Sequence, residues 1–152
     1  MRNYFEKIYL HGFDAFIKEL EQKVKNDEKT FVITANPETL MIGQENIEFD
    51  QILSSDQTII VPDGIGVVKA ANMLNYSVQG RVTGVEIVQK LLEILNQEEK
   101  SIYLLGAKED VLQALVCKVQ EAYPKVKIVG YQNGYVPDKD IVFDDIEKVQ
   151  PD

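Results

Sequence analysis

The first group in this 152-residue sequence that could do chemistry is an aspartate placed at the end of an apolar run. Ile59-Ile60-Val61 predicts a buried strand, and it breaks at once into Pro62-Asp63-Gly64 and then Ile65-Gly66. Ligands of open α/β sheets bind outside the carboxyl ends of strands, so Asp63 stands where chemistry is expected. Gly64 and Gly66 let the backbone pass close to a ligand there, although Pro-Asp-Gly also serves as an ordinary turn. Thr34 and Asn36 close a second run, Thr30-Phe31-Val32-Ile33-Thr34. Asn36 also qualifies as a helix N-cap, with Pro37 at the first helical position and Glu38 matched to the positive end of the helix dipole. Arg81 precedes Thr83-x-x-Glu86, a capping-box pattern that accounts for Thr83 and Glu86 but not for the arginine. A guanidinium just ahead of a helix N-terminus is well placed to meet an anion. One carboxylate, one guanidinium and two neutral polar groups at strand-to-helix junctions suit a base acting beside an anionic leaving group.

The elements that must position these groups follow from periodicity. Phe13 to Lys25 spaces Phe13, Phe16, Ile17, Leu20 and Val24 as an amphipathic helix. A strand at Thr30–Thr34 leads into a helix from Pro37 to about Asn46, then a polar loop, then the strand beginning at Thr58. A helix follows from Gly64, another spans Val85–Leu95, and Ser101–Leu105 is a strand closed by Gly106, which joins the candidate substrate-binding residues. A helix over Lys108–Tyr123, a strand over Lys125–Val129 and a weak acidic helix over Ile141–Val149 complete the chain. Strands alternating with helices predict an α/β, Rossmann-like, mostly parallel sheet with helices on both faces, in a single domain over 1–152.

Composition narrows the chemistry. A formal charge of −9 argues against a nucleic-acid surface or a polybasic membrane patch. The one cysteine, Cys117, has apolar neighbours that predict a reduced core residue. The stretch MRNYFEKIYLHGF lacks the unbroken apolar core of a signal peptide, and no run is long enough to span a bilayer. His11 is the sole histidine and has no ligand spacing around it, so no zinc site is expected. Neither Gly-x-Gly-x-x-Gly nor a Gly-Lys-Ser/Thr loop is present. Asp138-Lys139-Asp140 has the form of a metal-holding Asp-x-Asp, but its composition favours a solvated turn and no metal is assigned.

The segments TANPE, VPDGIGVV, RVTGVE, IYLLGAKEDV and IVGYQNGY, in this order, resemble the WecG/TagA/CpsF glycosyltransferases. That family includes N-acetylmannosamine transferases of wall teichoic acid synthesis and N-acetylmannosaminuronate transferases of enterobacterial common antigen. The resemblance covers about residues 30 to 136. It implies an inverting, metal-independent and cofactor-free transferase moving N-acetylmannosamine, or a related sugar, from a UDP-sugar onto undecaprenyl-diphosphate-linked GlcNAc at the cytoplasmic membrane face. By the same resemblance Asp63 is the general base, Arg81 neutralises the departing UDP, and Thr34 and Asn36 orient a sugar.

Family members continue through another apolar strand, a Pro-Lys-Gln-Glu motif and a basic, membrane-touching tail. This sequence ends at Val149-Gln150-Pro151-Asp152 without that motif. The resemblance therefore implies a chain truncated relative to the family, with peripheral membrane contact made only through the missing tail and an apolar face able to drive self-association. The competing expectation is a non-catalytic UDP-sugar-binding module or inactive fragment.

Overall fold

A computed structural model describes residues 4–152, apart from the side chain of Lys139. Met1 to Asn3 of the N-terminal stretch considered above lie outside the described residues, as does the Lys139 side chain of the Asp-x-Asp sequence. The chain divides into two compact units, the first ending at Lys90 and the second running Leu91–Asp152.

The first unit is organised on two parallel strands, β1 (Phe31–Ala35) and β2 (Thr58–Pro62), paired from Phe31↔Thr58 to Ala35↔Pro62. Ile60 and Val61 of β2 have no exposed surface, as expected for a parallel strand covered on both faces. Ile8 adds a parallel bridge at Ile60, so β2 is flanked on both edges. The apolar stripe of α1 (Gly12–Lys25) buries Phe16 and Leu20. Helix α2 (Pro37–Glu45) starts at Asn36, whose Oδ1 accepts from the Thr39 N–H at 2.8 Å. Helix α3 (Ile47–Ser54) starts in the same way, Asn46 accepting from the Phe49 N–H at 3.0 Å. The close approach of α2 and α3 requires Gly43, since a Cβ there would sit 2.3 Å from Leu53 Cδ1. Lys7 Nζ donates to the Ser54 and Ser55 carbonyls and so holds the end of α3. Beyond β2, α4 (Ile65–Met73) buries Val67, Val68 and Ala71, and after residues 74–83 comes α5 (Gly84–Gln97).

The second unit repeats the strand–helix–strand plan with β3 (Ser101–Leu105), α6 (Glu109–Ala122) and β4 (Lys127–Gln132), again parallel. The register steps between Ile102↔Ile128 and Tyr103↔Gly130, leaving Val129 as an extra residue. The Tyr103 ring lies over Gly130, where a Cβ would come within 2.4 Å of Cε2. Its hydroxyl donates to Asp145 Oδ2 of α7 (Lys139–Val149) at 3.3 Å. The chain returns at Asp152, whose Oδ2 accepts from both the N–H and the hydroxyl of Ser101 at 2.7 Å.

The α/β character and the parallel pairing agree with the sequence. Among the described residues the strands pair two by two, β1 with β2 and β3 with β4. Each pair is closed by its own crossover, α2–α3 in one and α6 in the other. Three local expectations are corrected. The stretch expected as a polar loop contains α3, because Asn46 caps a helix that buries Leu53. The last strand starts at Lys127, two residues later than its apolar content suggested. Cys117 is exposed: the buried stripe of α6 is Leu112, Val116 and Val119, and the cysteine lies one residue off it.

Candidate functional site

The site is built where β1, β2 and α5 meet in the first unit. The ladder between the strands continues one bond past their ends, with the Asp63 N–H donating to the Ala35 carbonyl at 3.0 Å. On the other side of β2, the Val82 N–H donates to the Pro62 carbonyl at 2.7 Å. Val82 is fully buried, so this bond is shielded from water. Asp63 follows Pro62 and Arg81 precedes Val82, so the two residues adjoin the acceptor and the donor of a single backbone hydrogen bond. Asp63 is half-buried and Arg81 exposed. Among the described residues, neither side chain makes a hydrogen bond or ion pair. An acid and a base that the fold leaves unengaged are available to a ligand.

Thr34 and Asn36 stand at the neighbouring strand end. Asn36 Oδ1 is taken up by capping, accepting from both the N–H and the hydroxyl of Thr39, at 2.8 and 3.0 Å. Thr34 is half-buried and lies against Gly84 at the start of α5, where a Cβ would sit 3.2 Å from Thr34 Cγ2 and 3.5 Å from Oγ1. Gly64 is the N-cap of α4. A Cβ on Gly66, in the first turn of α4, would lie 3.4 Å from Pro37 Cγ of α2, so the first turns of these helices approach one another closely. Thr34, Asn36, Asp63, Gly64, Gly66 and Arg81 therefore gather at three adjoining junctions. Thr83 and Glu86 make a side-chain pair, the hydroxyl donating to the carboxylate, at the N-terminus of α5. Glu86 is thereby held beside its own helix end, where its charge suits the dipole.

Gly106 belongs to the second unit. Its φ of +127° is a conformation that favours glycine, and its N–H donates to the Gln132 carbonyl at 2.9 Å. Next to it Ala107 adopts φ +61°, and its carbonyl accepts from the Gly134 N–H at 2.9 Å. Asn133 donates to Glu109 Oε2 at 2.7 Å and accepts from the Tyr135 N–H at 2.9 Å. Hydrogen bonds from Gln113 and Asn133 hold the Glu109 carboxyl below its usual range. Asp138, of the Asp-x-Asp sequence, accepts from the Asp140 N–H and caps α7.

Sequence reasoning did not single out Gly84. A usable signal was present, because glycine is a poor helix former and here it opens a 14-residue helix. Its reason is the contact with Thr34, fifty positions earlier.

The profile described as the glycosyl transferase WecG/TagA/CpsF family matches residues 6–152. The chain is 37% identical over 139 residues to the N-acetylglucosaminyldiphosphoundecaprenol N-acetyl-beta-D-mannosaminyltransferase of Bacillus subtilis (strain 168), covering 91% of this chain and 54% of that protein. The protein of the same name from Bacillus spizizenii is 33% identical over the same shares. That from Staphylococcus aureus (strain NCTC 8325 / PS 47) is 30% identical over 106 residues, 70% of this chain and 41% of the relative. The chain thus spans about half the length of the curated relatives it matches.

Proposed function

The chain belongs to the WecG/TagA/CpsF family of glycosyl transferases, and on that premise we propose that its first unit carries the centre of an inverting, metal-independent sugar transfer. The donor is UDP-N-acetylmannosamine or a related UDP-sugar, and the acceptor is undecaprenyl-diphosphate-linked GlcNAc, in keeping with the names of the relatives. The acceptor hydroxyl oxygen attacks the anomeric carbon. Its proton passes to the Asp63 carboxylate as the bond from that carbon to the UDP oxygen breaks, and the released electron pair stays on the diphosphate. Arg81 offsets the charge that develops there. Thr34 and Asn36 orient the sugar, while Gly64 and Gly66 admit it close to the backbone.

The observation that carries this reading is the pair of ionisable side chains, unengaged among the described residues, on the residues that adjoin the donor and the acceptor of the 2.7 Å Val82–Pro62 hydrogen bond at the carboxyl end of β2. No described helix is long and apolar enough to cross a membrane. A lipid-linked acceptor nonetheless places the reaction at a membrane surface, proposed to be the cytoplasmic face. Because the chain spans about half of its relatives, a second reading has support for this chain taken alone: UDP-sugar binding without turnover. Calorimetric titration with UDP and UDP-N-acetylmannosamine, run beside transfer to a GlcNAc-diphosphate lipid, separates the two. Binding with transfer supports the enzyme, binding alone supports the module, and no binding of either nucleotide contradicts both.

A further inference from the structure

We infer that Gly84 is a positioning residue, the hydrogen in place of its side chain fixing where Thr34 offers its hydroxyl to the donor sugar. This rests on the transferase reading for the sugar, and on geometry alone for the contact. The three atoms nearest to a Cβ at Gly84 all belong to Thr34: Cγ2 at 3.2 Å, Oγ1 at 3.5 Å and Cβ at 3.7 Å. A side chain there would meet no other group so closely, so Thr34 must give way. Threonine is β-branched and stiff at χ1, and on β1 its backbone is fixed by the ladder to Val61. It must give by a few tenths of an ångström, a shift that carries Oγ1 with it. A glycine at the start of α5 is costly for a helix, and the Thr34 contact is the structural reason for keeping it.

The methyl group, and not the hydroxyl, makes the closest contact, which gives a clean test. Gly84→Ala should weaken binding of UDP-N-acetylmannosamine by about three- to tenfold, the worth of one neutral hydrogen bond, and leave UDP affinity within about twofold. In the Thr34→Ser background, where the interfering methyl is gone, the same Gly84→Ala change should alter UDP-N-acetylmannosamine affinity by less than about twofold. Thermal unfolding of the four proteins supplies a ligand-free arm: Gly84→Ala should raise the unfolding temperature more in the Thr34→Ser background than in the parent. Equal shifts in both backgrounds overturn the contact, and equal losses for UDP and UDP-sugar overturn the positioning role. If the parent binds neither nucleotide, the transferase reading itself falls and the assignment to a sugar falls with it.

Discussion

The two units place the same plan, a parallel strand pair joined by a helical crossover, in different chemical service. At the strand ends of the first unit the backbone bonds Asp63 N–H to Ala35 and Val82 N–H to Pro62 are joined by the side chains of Asn36, which caps α2, and of Thr83 and Glu86, which pair with each other. The ionisable side chains Asp63 and Arg81 are left without partners among the described residues. At the strand ends of the second unit the side chains do the holding as well, Glu109 to Gln113 and Asn133, and Asn133 to Tyr135. A carboxylate whose oxygens already accept two amide hydrogen bonds has little left to offer a substrate. Asp63 and Arg81 sit where other groups already shape the junction and leave these two side chains unengaged among the described residues.

The largest expected contrast is between a carboxylate left unengaged in the first unit and one held by hydrogen bonds in the second. Asp63→Asn should cut sugar transfer by about 10²–10⁴-fold, the usual worth of a positioned general base, with little change in unfolding temperature. Glu109→Gln should leave the rate within about twofold, measured in the same assay. The next effect is on stability and belongs to the second unit. Gly130→Ala forces the Tyr103 ring aside and should cost about 1–3 kcal/mol by denaturant unfolding. Arg81→Ala should weaken UDP binding by about tenfold, as expected for one charge-assisted contact to a diphosphate, without loss of folded protein. The smallest effect concerns Asp152, whose carboxyl is held below its usual range by the Ser101 hydroxyl and N–H and by Lys100. A lowered folded-state value means stabilisation that is present above the unfolded-state pKa and is lost as pH falls through the folded one. The stability advantage of the parent over Asp152→Asn should therefore be full at neutral pH and vanish on acidification, read by thermal unfolding across that range.

Local signals in the sequence were sufficient for groups whose role depends on near neighbours. Asn36 reads as an N-cap because the Thr39 N–H that it accepts is three residues away, and Asp63 reads as strand-terminal because Val61 and Gly64 bracket it. The relation between Asp63 and Arg81 rests, in the sequence, only on their shared position at junctions. The bond that sets it joins Pro62 to Val82 across twenty positions, and no periodic pattern records it. The contact of Gly84 with Thr34 is longer still. Helix α3 is hidden in the sequence because its first four residues, Ile47-Glu48-Phe49-Asp50, alternate apolar and acidic types and it buries few side chains. Cys117 was misplaced because a helix with apolar residues at 111, 112, 115, 116 and 119 admits two stripes, and the narrower one is buried. The pairing of the strands two by two leaves no trace in strand composition, since every strand has the apolar content of a paired one.

The most direct test of the account is to map bound UDP by backbone amide chemical shifts along the whole chain. The largest changes are expected at residues 34–36, 63–66 and 81–84, where the fold leaves a carboxylate and a guanidinium unengaged. A response confined to residues 106–109 and 132–135, with the first unit unmoved, would contradict the account.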